Sequence, residues 1–381
     1  MTNKLLRILW TAAVILATLP FAQAQVYTII AGFTGGGGPN SYPLARDAVG
    51  NFYGAAGYTA VLKVDPTGKV TNLYNFKGAP DGWWPEQVVR DAEGNIYGTT
   101  QYGGTGTYCS GPFAGCGTVF KLTAAGKETV LHSFQGMADG SWPVGVILDT
   151  KGNLYGTTVE GGSNCDCGIV YKIDPTGKQT VLHRFTDGKD GAYPYGDLLV
   201  ADGALYGTTA AGGTGPCKFV AEAVGCGVVF KLEGKKETVL YNFQGPPDGQ
   251  VPQANVVRDA AGNLYGTTQY GGDPSCNYSY GCGNVFKLDP AGKETILHTF
   301  TGQNVPASPG GLVIDPEGNV YGSANGADGS LGYIFKIDPA GQFSIVYSFE
   351  AGDSGAPADL ILDAQGNLYG ADSAVLYKLT P

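Results

Sequence analysis

Three carboxylates break the symmetry of an otherwise repetitive chain, and catalysis would have to be built on them. Glu86, Asp197 and Asp359 fall on the first short strand of three different repeats, which elsewhere carry Arg46, Arg90 and Arg258. Two carboxyls facing each other across a channel can act as general acid and general base. A hydrated polar lining is the commoner meaning of such residues. His132, His183 and His298 offer less, because they occupy one equivalent position that other repeats fill with Tyr74, Tyr241 and Tyr347. Residues so placed lie on different sheets, too far apart for a Ser-His-Asp or Cys-His centre.

A second chemistry is stacking. An Asp-Gly turn leads into an aromatic-Pro pair in Asp81-Gly82-Trp83-Trp84-Pro85, Asp139-Gly140-Ser141-Trp142-Pro143 and Asp190-Gly191-Ala192-Tyr193-Pro194, and Tyr42 precedes Pro43 in the same way. The ring is absent at Val251, Ser308 and Ala356, so Tyr42, Trp83, Trp84, Trp142 and Tyr193 form a one-sided arc. Tyr102, Tyr108, Tyr270, Tyr278 and Tyr280 lie in adjacent loops. Such rings can stack on sugar or peptide faces. Their plainer use is to plug gaps between sheets. The Asp residues suit Asp-Gly turns better than metal ligation, so no metal and no cofactor are expected.

All eight cysteines are close pairs: Cys109 with Cys116, Cys165 with Cys167, Cys217 with Cys226, Cys276 with Cys282. An even, closely spaced set in an exported chain reads as disulfides within single loops. The bridge from Cys165 to Cys167 is the doubtful one, since a single intervening residue makes a strained ring. Zinc is the rival reading, but no histidine lies in these loops.

The element that positions all of this is Gly152-Asn153-Leu154-Tyr155-Gly156-Thr157-Thr158, of which seven related copies occur, spaced 44 to 59 residues apart. Each repeat reads as four strands. In the third, Val146-Ile147-Leu148 turns through Asp149 to Asn153 into Leu154 to Thr158; Gly168 to Asp174 then turns through Pro175 to Lys178 into Gln179 to Phe185. Asp, Gly and Pro make these turns, and β-branched and aromatic residues fill the strands. Four short strands per repeat of this length predict propeller blades. Val26 to Phe33 has the character of a fourth strand and Ala374 to Leu379 that of a third. Pairing them closes an all-β ring of seven four-stranded antiparallel blades, the N-terminal strand completing the last blade. The tyrosine of each copy is expected to pack between blades.

Residues 1–24 read as an export signal, with Lys4 and Arg7 before an apolar run and Ala22-Gln23-Ala24 at the cleavage site. Residues 25–381 would then be one mature propeller domain with no membrane span. The chain's net charge is −10, which argues against nucleic acid as a partner. Glycine, 62 of 381 residues, implies many tight turns.

Gly117-Thr118-Val119-Phe120-Lys121-Leu122, followed by Glu128 to Phe134 and later by Gly-Asn-Leu-Tyr-Gly-Thr-Thr, resembles the GloVer tandem-repeat family of exported bacterial proteins over nearly all of residues 26–381. The resemblance implies a surface or secreted propeller with no defined activity. Many such proteins carry a C-terminal sorting anchor, whereas this sequence stops at Pro381. The strand and turn order is also similar to that of NHL-type and streptogramin-lyase-type propellers.

The expectation is therefore an exported monomer, periplasmic or extracellular, that binds a glycan or a peptide or protein ligand on its disulfide-stapled loop face. A lyase or hydrolase acting on a polysaccharide or lactone at the same face, and a structural envelope component, are the alternatives.

Overall fold

The computed structural model describes residues 26–33, 44–110, 114–162, 164–218, 224–276, 280–301, 310–325, 331–350, 353, 355–357, 359–371 and 374–380. The expected leader over residues 1–24 lies outside them, as do Tyr42 and Tyr278. Among the described residues there is no helix.

Seven four-stranded sheets make a seven-bladed β-propeller. In blade 3, Ser141–Leu148 pairs antiparallel with Leu154–Glu160, that strand with Ile169–Ile173, and that in turn with Gln179–Arg184. The ring closes as the ends of the chain predict. Val26–Gly32 pairs antiparallel with Val375–Thr380, Val26 opposite Thr380 and Gly32 opposite Val375. Tyr27 then stacks on Tyr347 of blade 6 at 5.1 Å, so the joined strand is also packed sideways.

The repeated motif locks each inner hairpin. In blade 3, Asp149 Oδ1 accepts the Asn153 backbone N–H at 2.8 Å, while Oδ2 accepts the Asn153 side-chain amide at 2.7 Å and the Tyr155 hydroxyl at 3.2 Å. Asp47, Asp91, Asp259, Asp315 and Asp363 make the same clamp. Blade 4 has the short turn Ala201-Asp202-Gly203 instead. The tyrosine ring is covered by a cation from the third strand, as Lys172 over Tyr155 at 5.8 Å, or from the next blade, as Arg90 over Tyr53 at 5.4 Å. The tyrosine thus both packs a seam, as the repeat suggests, and anchors its own turn.

These clamps have a pH consequence. Burial raises the Asp47 carboxyl, but its hydrogen bonds from Asn51, Tyr53 and Val49 together outweigh that and hold it at about 2. Asp91, Asp149, Asp259 and Asp363 are lowered in the same balance. A carboxyl that folding depresses stabilises the fold above its unfolded value of about 4, and that contribution is lost as pH falls. Urea midpoints should therefore drop between about pH 4 and about pH 2. A flat profile across that window, followed by circular dichroism, would remove the clamps from the stability argument.

At six of the seven seams a phenylalanine after the outer strand meets an aromatic of the next blade edge to face. The pairs are Phe76 with Phe120, Phe134 with Tyr171, Phe185 with Phe230, Phe243 with Phe286, Phe300 with Phe335, and Phe349 with Tyr377. In blades 2 to 6 the hydroxyl that follows the second glycine of the motif adds a polar stitch: Thr157 donates to the Pro194 carbonyl at 3.2 Å and Thr208 to the Ala254 carbonyl at 3.0 Å, and Thr99, Thr267 and Ser323 do the same. Each stitch grips the inner strand of the following blade, the strand that lines the channel.

Candidate functional site

The rim of the channel on the loop face is set by an unusual backbone. Trp84, Trp142, Tyr193 and Val251 have φ of 61°, 55°, 58° and 59°. Left-handed backbone costs a non-glycine residue about 1–3 kcal/mol and persists only where its surroundings enforce it. Here a proline follows, and the strained residue's own N–H crosses the seam: Trp142 to the Cys116 carbonyl at 3.1 Å, Tyr193 to Cys167 at 2.9 Å, Val251 to Cys226 at 3.0 Å, and Trp84 to Tyr58 at 2.8 Å.

The second cysteine of a bridge is therefore a docking point for the next blade. Its loop is closed by a disulfide in each case: Cys109 to Cys116, Cys165 to Cys167, Cys217 to Cys226 and Cys276 to Cys282, with Cα separations of 5.1, 5.3, 5.0 and 5.6 Å. All four are the intra-loop pairs expected, including the pair at 165 and 167 that the short spacing makes doubtful. Phe185 fills the space beneath that loop, its carbonyl 3.7 Å from Cys165 Sγ.

The rings that this backbone presents are half-buried, neither sealed in the seams nor free in solvent. Tyr58 lies 4.8 Å from Trp84, Trp84 lies 6.4 Å from Tyr102, and Tyr102 lies 6.0 Å from Trp142. Trp83 runs parallel to Tyr58 at 6.5 Å. An unbroken aromatic arc thus spans blades 1 to 3, with the exposed Tyr58, absent from the sequence reading, as its outer end. Tyr193 sits further round, beside the exposed Tyr195. Tyr108 is exposed and caps Gly136. Tyr270 and the exposed Tyr280 form a separate pair at 6.1 Å on blade 5.

Carboxylates border the arc. Burial and then Asp166 push Glu160 up to about 7. Tyr102 is raised by burial and by Glu160 and Glu86, and Tyr195 by burial and Glu160, so the acids stand among the rings. Asp187 is raised by burial and by Asp190. A mouth of rings and carboxylates suits hydroxyl-rich or basic groups and disfavours anions.

Below the mouth lies the throat. Asp197 and Asp359 occupy one equivalent inner-strand position, held by Gln87, Gly145, Asn255 and Gly311 in blades 2, 3, 5 and 6. Asp197 and Gln87 both lean over Gly145, and Asp359 and Asn255 both lean over Gly311. Burial pushes Asp197 up to about 7, opposed by the Gly145 amide. Burial, then the charge of Asp197, brings Asp359 to about 7 as well. Those two candidates therefore share one electrostatic space. Glu86 does not join them; it is buried beside Tyr102.

Other polar residues belong to the frame. Arg46 lies over Tyr369 at 5.0 Å, and Arg258 meets Asp202 at 2.7 Å, both bonds between blades. His132 and His183 each sit 3.2 Å from the Asp of their own Asp-Gly turn, Asp139 and Asp190, as Tyr241 does with Asp248 at 3.1 Å. His298 stacks on Phe343 at 3.7 Å. A cleft of about 640 Å³ opens between blades 2 and 3, lined by Arg90, Asp91, Tyr97, Lys121, Asp149 and Asp174. It lies among the clamped turns, away from rings and throat. Among the described residues no group of three His, Cys, Asp or Glu side chains is placed to hold a metal, and no helix is long and apolar enough to cross a membrane.

Known proteins fit this geometry at the level of fold. The family model described as the Gloeobacter/Verrucomicrobia repeat matches residues 18–221 and 221–375. No curated protein matches in sequence. A streptogramin B lyase structure is similar with a TM-score of 0.63 at 13% identity, over 93% of this chain and 97% of that one. PorZ, a surface component of the type-IX secretion system of Porphyromonas gingivalis, gives 0.56 at 12% identity, over 89% of this chain and 46% of its own. A chain of a mitotic checkpoint complex gives 0.58 at 12% identity, over 100% and 99%. Such diverse company carries the propeller and nothing about activity.

Proposed function

This chain belongs to the Gloeobacter/Verrucomicrobia repeat family, and from that premise we propose that it is an exported, monomeric binding module that holds a glycan or peptide across the aromatic arc at the channel mouth. The carrying observation is that Val251 adopts the same strained backbone and the same cross-seam hydrogen bond as Trp84, Trp142 and Tyr193. The seam therefore does not require a ring at these positions. Rings nevertheless fill three of them in succession, and Tyr58 and Tyr102 link two into one surface.

Rigidity supports the reading. Proline, disulfide and backbone bonds fix the rings before any ligand arrives, which lowers the entropy cost of binding. Disulfides, together with the expected leader, favour an oxidising compartment, periplasmic or extracellular. Arrays of neutral glycans, basic peptides and acidic counterparts test the proposal. Saturable binding to the neutral or basic sets is expected; silence on every array would end it.

A second reading takes Asp197 and Asp359 as the acid and base of a lyase or hydrolase acting on a polysaccharide or lactone, because they hold one equivalent inner-strand position and the charge of Asp197 reaches Asp359. It requires turnover that Asp197→Asn or Asp359→Asn abolishes while the unfolding curve stays unchanged. Binding that survives both substitutions, with no product formed, supports the module alone.

A further inference from the structure

The throat holds polar atoms that protein alone leaves unmatched. Gln87 Oε1 and Asn255 Oδ1 are each shut off from solvent and have no hydrogen-bond partner, and Asp197 Oδ1 is equally enclosed with only the Gly145 amide beside it. Asp197 and Gln87 bring two such acceptors to one place over Gly145, and Asp359 and Asn255 crowd the corresponding place over Gly311. Behind Asp197, on the third strand of blade 3, the Tyr171 hydroxyl is also unpartnered, in a side chain with 0% exposure. It feels the Asp197 charge and lies beside the Gly145 carbonyl, against Gly156. Most other blades place a phenylalanine at this position, as in Phe120, Phe230, Phe286 and Phe335. Buried polar atoms are nearly always paired, so acceptors gathered on one channel wall call for a component that donates to them or carries positive charge.

The pattern around the ring says what that component is. An amide, a glycine and an aspartate occur in order on blades 2, 3 and 4 and again on blades 5, 6 and 7. Each glycine leaves the room into which its neighbours' oxygens lean. Four side chains thus offer oxygen acceptors with two formal negative charges, and none of them is histidine or cysteine. That donor set is the one hard divalent cations select.

We propose that the throat binds one hydrated divalent cation of the Ca²⁺ class between the oxygen pairs of Gln87 with Asp197 and Asn255 with Asp359. Ca²⁺ takes six to eight oxygens, so part of its water shell stays and donates to the acceptors that the ion does not touch. The ion neutralises the two carboxylates and draws four inner strands toward one centre. This site lies below the aromatic mouth and stands whether or not the mouth binds a glycan.

The test uses the mature protein stripped with EDTA and held at pH 8. Titration with Tb³⁺ alone should give saturable luminescence sensitised by Tyr171, displaced by Ca²⁺, with calorimetry giving one site. Asp197→Asn and Asp359→Asn should each weaken Ca²⁺ binding about tenfold or more, and the double variant should lose it. Asp289→Asn, on an exposed turn, should leave it unchanged. Both throat variants should unfold in EDTA at or above the temperature of the parent, so loss of binding is not loss of fold. No saturable signal up to about 10 mM Ca²⁺, Mg²⁺ or Mn²⁺, or a signal that survives in the double variant, overturns the proposal.

Discussion

Phe230→Ala should lower the unfolding free energy by about 3–5 kcal/mol, the largest single-site loss expected in this protein. Phe230 has 0% exposure, and its ring meets Phe185 of the preceding blade at 5.4 Å, edge to face. Leu198, Leu205 and Ala192 complete the surroundings. Truncation removes the transfer free energy of a whole ring and opens a cavity in a seam that cannot collapse, because the backbones on both sides are held by the inner-strand stitches. Aromatic geometry adds about 0.5–1.5 kcal/mol to the loss. Ile345→Ala, on an outer strand and exposed, should stay within about 0.5 kcal/mol of the parent. Chemical denaturation of both variants beside the parent decides it. A loss at Phe230 no greater than at Ile345 would mean that the blades are not held by these ring pairs.

Trp84→Ala and Trp142→Ala should each weaken ligand binding about 30-fold, the effect of removing an aromatic anchor of about 2 kcal/mol. Both rings touch Tyr102, at 6.4 and 6.0 Å, so the double variant should lose less than the product of the two effects. Trp142→Phe should recover much of the affinity, since a flat ring remains on the same strained backbone. Tyr280→Ala, on the separate pair of blade 5, should change little. The probe is the strongest binder found on the glycan and peptide arrays, titrated against each variant after its fold has been checked by unfolding. An affinity untouched in the double variant would return the rings to the role of seam fillers.

The difference between these two expectations reflects what repetition does. A residue present in every blade, such as the tyrosine of each Asp-Asn-Tyr clamp, serves the frame, and its loss is felt as stability. A residue that departs from the repeat, such as Trp84 where blade 5 has Val251, is free of the frame's demands. The same reasoning separates His132 and His183, which stand in for tyrosines against a turn aspartate, from Asp197 and Asp359, which stand where glycines and amides alternate.

By itself the amino-acid sequence determined the number of blades, the order of strands and the way the ring closes. Turn chemistry and period-two strands are local properties, and seven related copies of Gly-Asn-Leu-Tyr-Gly-Thr-Thr average out local ambiguity. Sequence also paired the cysteines, since each partner lies within one loop. It pointed to Trp84, Trp142, Tyr193, Asp197 and Asp359 as breaks in the pattern, but not to what they face. Only the tertiary structure decided that Tyr58 and Tyr102 join the tryptophans into one arc, that Glu86 is buried within electrostatic reach of Tyr102 while the two aspartates share the throat, and that Gln87, Asn255 and Tyr171 belong with them. Tyr58 with Trp84, Tyr102 with Trp142 and the throat residues with one another come from different blades. A ring brings them together through the lean of side chains over Gly145 and Gly311, which no spacing along one strand encodes.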